Sequence, residues 1–99
     1  MTSYSDRVTI AQDVLFRMVG EEAVLLNLNT ELYLGLDEVG TRMWILLKDS
    51  ASIQDAFDAL VREYEVEQDR LRQDLDEFLG KLLEHGLIEI GPGEVSVGE

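Results

Sequence analysis

Between Val24 and Leu47 the apolar residues change their spacing, and no other stretch restricts the fold so strongly. In VLLNLNTELYLGLDEVGTRMWILL, Leu32, Leu34 and Leu36 alternate with other side chains, which is the period of a strand buried on one face. Val39, Met43, Leu46 and Leu47 then recur at the spacing of a helix face. Asp37 stands between the two patterns, where its short carboxylate can accept from the first free N–H groups of a helix, and Glu38 lies near the positive end of the same helix. A strand therefore runs directly into a helix covering residues 37–48.

Two further strand segments, residues 14–18 and 23–28, precede the strand at 32–36. Gly20-Glu21-Glu22 and Asn29-Thr30 separate the three, and both gaps are short enough for antiparallel hairpins, so the expected sheet is a meander in sequence order. Leu32, Leu34 and Leu36 should face the helices, leaving Tyr33 partly exposed on the other side with Gly35. A second helix begins at Ser52 and Asp55, which approximate a capping box, and carries Ile53, Ala56, Phe57, Leu60, Val61 and Tyr64 on one stripe. The third starts near Glu67, presents Leu71, Leu75, Phe78, Leu79, Leu82 and Leu83, and stops at Gly86, a left-handed cap. The expected fold class is α+β: a three-stranded antiparallel sheet followed by three helices, in a winged helix-turn-helix-like arrangement. Residues 1–11 are expected to form an N-terminal arm, 12–90 the folded domain and 91–99 a flexible tail.

With 99 residues, 45% of them apolar, the chain can build one small core but not a second domain. Cysteine is absent, which removes disulfides, thiolate nucleophiles and cysteine metal clusters and fits a cytoplasmic location. No apolar run is long enough to cross a bilayer, so no membrane partner is expected. The net charge of −13 opposes nucleic acid and anionic lipid. It is uneven: residues 1–50 carry eight acids and four bases, residues 51–99 thirteen acids and four bases. In a DNA-binding winged helix the third helix would be the reader, yet Glu67, Asp69, Asp74, Asp76, Glu77 and Glu84 outnumber Arg70, Arg72 and Lys81 there.

The residues that carry chemistry elsewhere are few here. His85 is the one histidine, without a partner at metal spacing, and its place beside Gly86 suits a helix end. Ser50 in Asp49-Ser50-Ala51-Ser52 sits like the prosthetic-group serine of an acidic carrier protein, although Ser52 is the better helix cap and the strand-rich first third does not suit a helical bundle. No glycine pattern suits a phosphate cradle. The expectation is a protein without catalytic activity, cofactor or metal.

What remains is a sheet with an open edge. If strand order follows sequence, the 32–36 strand offers unpaired N–H and C=O groups to an added strand, unless residues 2–11 fold back over it. The hairpin and helix from Leu25 through Leu32-Tyr33-Leu34-Gly35-Leu36 to Asp37-Glu38-Val39-Gly40-Thr41-Arg42-Met43-Trp44, with the later Leu71 to Leu75 segment, Phe78-Leu79 and Gly86-Leu87-Ile88, resemble the PqqD-like family over residues 12–90. The resemblance implies a non-catalytic element that binds the leader of a ribosomally made precursor peptide as an antiparallel strand while another enzyme alters the core peptide. It places strand contacts at Leu32, Tyr33, Leu34 and Gly35 and a helix wall at Arg72, Leu75, Asp76, Leu79 and Leu83, with Leu71, Phe78 and Leu82 left for the core. Gly35-Leu36-Asp37-Glu38-Val39-Gly40 is worded like the free-standing members of lasso peptide pathways, whose partners are a leader peptidase and a cyclase. A carrier protein modified at Ser50 and a module that dimerises through the open edge are the alternatives.

Overall fold

A computed structural model of the protein describes residues 3–92, which form five strands and three helices. The strands are β1 (Arg7–Ile10), β2 (Val14–Val19), β3 (Glu22–Asn27), β4 (Tyr33–Leu36) and β5 (Ile88–Gly91); the helices are α1 (Glu38–Asp49), α2 (Ile53–Glu63) and α3 (Gln68–Glu84).

The expected meander is present. β2, β3 and β4 form one antiparallel sheet in that order, with Val14 opposite Asn27 and Ala23 opposite Leu36. The hairpin between β2 and β3 turns through Gly20 at φ +68°, a left-handed conformation that glycine adopts without a Cβ clash. β4 gives way to α1 at Asp37, whose Oδ1 accepts from Gly40 N–H at 2.7 Å. Ser52 caps α2 in the same way, accepting from Asp55 N–H at 3.1 Å. α3 ends at His85, and Gly86 takes φ +66°. The His85 ring Nδ1–H donates to the Lys81 carbonyl at 2.9 Å, which gives the lone histidine a structural post at the helix end.

The core lies between the inner sheet face and the three helices. Leu25, Trp44, Leu47, Ile53, Leu60, Leu75, Leu79, Leu82 and Leu87 are fully buried within it. Phe16 lies flat over Trp44, with ring centroids 6.3 Å apart, and so closes the core beneath β2. Buried Asn27 joins the sheet to α3. Its Nδ2 donates to the His85 and Gly86 carbonyls at 3.1 and 3.0 Å, and its Oδ1 accepts from Asn29 and Thr30 N–H at 2.9 and 3.3 Å. One amide thus shapes the turn before β4 and holds it to the end of α3.

The N-terminal segment departs from the arm expected over residues 1–11. Arg7–Ile10 pairs antiparallel with Ile88–Gly91 as a second sheet, burying Val8 and Ile88. Ahead of it, the Asp6 and Tyr4 carbonyls accept from Ile53 and Gln54 N–H, both at 2.8 Å, which satisfies free donors at the start of α2. This run of chain therefore binds the α2 side of the molecule and does not cover β4. Of the tail expected over 91–99, Gly91 ends β5, and residues 93–99 lie outside the described residues.

Candidate peptide-binding site

Among the described residues β4 is an edge strand, and the hydrogen-bond phase of the sheet shows which of its groups have no strand partner there. Asn27 N–H donates to the Leu32 carbonyl at 2.9 Å, and Leu28 N–H donates to the Asp13 carbonyl at 2.9 Å on the opposite side of β3. Antiparallel pairs alternate along a ladder, so Ala23, Leu25 and Asn27 bond toward β4 while Glu22, Val24 and Leu26 bond toward β2. Leu34 and Leu36, opposite Leu25 and Ala23, spend their N–H and C=O groups on β3. Tyr33 and Gly35 point theirs off the free edge. An arriving antiparallel strand would pair with these two residues.

Beside that edge runs a groove of about 520 Å³ between β4 and α3, with the start of α1 at its end. Leu34 and Leu36 line the sheet side, Val39 and Met43 the α1 side, and Phe78 with the stem of Lys81 the α3 side. Carboxylates of Asp37, Asp74 and Glu77 stand around it, with Lys81 as the basic member. The groove is thus apolar in its floor and predominantly acidic at its rim, which suits apolar side chains from a segment with basic residues among them. Gly40 keeps the junction compact: a Cβ there would lie 3.2 Å from Asp37 Oδ1 and 3.7 Å from Phe78 Cε1.

The strand residues expected from the sequence fall together at this edge. Tyr33 is 70% exposed and Leu32 48%, Leu34 is half-buried facing the groove, and Gly35 is exposed on the outer face. The helix residues do not join them. Leu75 and Leu79 belong to the core, at 0% and 1% exposure. Arg72 and Asp76 lie on the opposite flank of α3, against the N-terminal segment. The Arg72 guanidinium sits 4.5 Å from the centre of the Tyr4 ring and 4.7 Å from that of Phe57, and the Tyr4 hydroxyl donates to Asp76 Oδ1 at 2.8 Å. Burial and that bond push the Tyr4 hydroxyl well above the usual tyrosine range. Leu83 is exposed and does not line the groove. The residues of α3 that face β4 are Asp74, Glu77, Phe78 and Lys81, on the other flank of the buried stripe. Phe78, expected in the core, is instead half-buried in the groove wall.

Ser50 ends α1 in extended backbone and opens no helix, and the α+β fold is not a carrier-type helical bundle. Among the described residues no group of three His, Cys, Asp or Glu side chains could hold a metal ion, and no helix is long and apolar enough to cross a membrane.

Fold and edge together define a small α+β domain whose edge strand β4 lies beside a groove walled by α3. The chain belongs to the PqqD family, whose description, coenzyme PQQ synthesis protein D, matches residues 22–88. Among solved structures it is similar to TbiB1 in complex with the TbiA(beta) leader peptide, with 37% identity and a TM-score of 0.76 over 82% of this chain and 94% of that one. A lasso peptide synthetase B1 complexed with the leader peptide shares the fold at 23% identity, with a TM-score of 0.75 over 84% of this chain and 98% of that one. No curated protein matches the chain.

Proposed function

We propose that this protein binds the leader segment of a ribosomally made precursor peptide as an added strand on β4 and presents the precursor to a separate leader peptidase or other modifying enzyme. The observation that carries the reading is the free edge of β4, where the outward groups of Tyr33 and Gly35 adjoin the groove walled by Phe78. Main-chain pairing supplies register, and alternate leader side chains enter the groove between Leu34 and α3. Leu32 and Tyr33 receive one end of the leader, and Asp74, Glu77 and Lys81 discriminate among leaders by charge. The role is binding in the cytoplasm, with the chemistry left to the partner enzyme. The 37% identity with a protein solved holding a leader peptide supports it. The Gly35 to Gly40 wording favours a lasso peptide pathway.

Calorimetric titration with the leader halves of candidate precursors tests this. Saturable binding by one of them, lost on replacing Phe78 with Asp in a folded variant, is expected. Failure of every leader to bind the folded protein would overturn it.

A further inference from the structure

Gly35 has no explanation within the free protein. Glycine weakens a strand, and inside one it commonly marks a close approach by another chain. The positive-φ glycines among the described residues are Gly20 and Gly86, so the backbone at Gly35 does not demand glycine. A Cβ built there meets nothing within 4 Å, so packing does not demand it either. The missing side chain instead leaves a notch of about 360 Å³ toward the outer face of the sheet, which adjoins the α3 groove across Gly35, Leu36 and Asp37. Val24, directly across from Gly35, and Val19 provide its apolar surface, and Glu22 and Asp37 stand at its rim.

Resting on the strand-addition reading above, we propose that this notch is a second leader subsite, which takes a long basic side chain. A strand added to β4 makes hydrogen-bonded pairs at Tyr33 and Gly35, and the residue paired with Gly35 points its side chain to the outer face, as Gly35 would. With no Cβ beneath it, the aliphatic stem of a lysine or arginine can lie across Gly35 onto Val24 and Val19. Its charged head then reaches the carboxylates of Glu22 and Asp37. An aromatic ring would meet the valines but leave both carboxylates without a counter-charge, so the basic side chain is the better complement. The neighbours of this residue, opposite Leu34 and Leu36, turn into the α3 groove. The site therefore reads three consecutive leader residues as apolar, basic, apolar.

Selection from a short-peptide display library on the immobilised full chain tests this, run in parallel on the wild type and on the Gly35→Val and Glu22→Gln variants. Thermal melting first confirms that each variant is folded. The wild type is expected to enrich peptides with lysine or arginine between two apolar residues. Gly35→Val should retain the apolar pair and lose the basic centre, and a peptide selected on the wild type should bind it about tenfold more weakly. Glu22→Gln should reduce the basic preference alone. An equal central preference on wild type and Gly35→Val, or a small, acidic or aromatic centre on the wild type, overturns the subsite while leaving strand addition standing. No enrichment on the wild type overturns the leader-binding reading and the subsite with it.

Discussion

Asn27 is the smallest change that should loosen the whole β4 edge. Its side chain is 5% exposed and makes four hydrogen bonds, two to carbonyls at the end of α3 and two from the turn before β4. Asn27→Ala removes all four, and each is worth about 0.5–1.5 kcal/mol net. Water can reach the exposed turn at Asn29 and Thr30 and replace part of the loss, so the cost should be about 2–4 kcal/mol. In a domain of this length each kcal/mol lowers Tm by roughly 4–8 °C, which places the expected fall at roughly 8–32 °C. Urea and thermal unfolding followed by circular dichroism at neutral pH measure both quantities. Asn27→Asp separates the roles. It keeps the acceptors for the turn but sets a carboxylate against the His85 and Gly86 carbonyls, so it should cost at least as much at neutral pH. Part of that stability should return as the carboxyl protonates in acid and can donate. A change below about 0.5 kcal/mol for Asn27→Ala would show that this amide does not tie the sheet to α3.

Further outcomes separate the two flanks of α3. Phe78→Ala should weaken leader binding about tenfold with a modest loss of stability, whereas Leu75→Ala, in the core, should cost about 2–5 kcal/mol; calorimetry beside urea unfolding distinguishes them. Arg72→Ala should leave leader affinity within about twofold while lowering Tm, because its contacts are to Tyr4 and Phe57. The Tyr4 hydroxyl, with its pKa raised in the folded state by burial and then by Asp76, contributes stability that is complete below the unfolded tyrosine value of about 10 and is lost as pH rises beyond it. Tyr4→Phe should therefore lose less stability than the parent between pH 9 and 12 in Tm measurements, and identical alkaline curves would contradict the assignment.

The parts of the fold that could be read in the sequence carry local signals. Alternating leucines mark β4, Asp37 and Ser52 sit at their caps, and Gly86 ends α3, each within a few residues of what it controls. The pairing of β1 with β5 carries no such signal. Arg7–Ile10 is a short strand whose partner lies at the other end of the described chain. Asn27 looks like an ordinary strand-end polar residue until α3 arrives beside it. The groove shows the same limit in another form. The buried stripe of α3, Leu71, Leu75, Leu79 and Leu82, has two flanks, and periodicity identifies the stripe without saying which flank meets the sheet. The wall expected from the family resemblance, Arg72, Leu75, Asp76, Leu79 and Leu83, takes in two stripe residues and the flank of Arg72, Asp76 and Leu83. The N-terminal segment occupies that side through Tyr4, which leaves Asp74, Glu77, Phe78 and Lys81 facing β4. Phe78, the one large aromatic of α3, was the available pointer to the open flank.

Amide hydrogen exchange along β4, with and without leader peptide, tests strand addition most directly. In the free protein the Leu34 and Leu36 amides, already bonded to β3, should exchange slowly, and those of Tyr33 and Gly35 should exchange fast. Leader binding should slow Tyr33 and Gly35 selectively. Saturated binding that leaves both amides fast would place the peptide elsewhere and contradict the account.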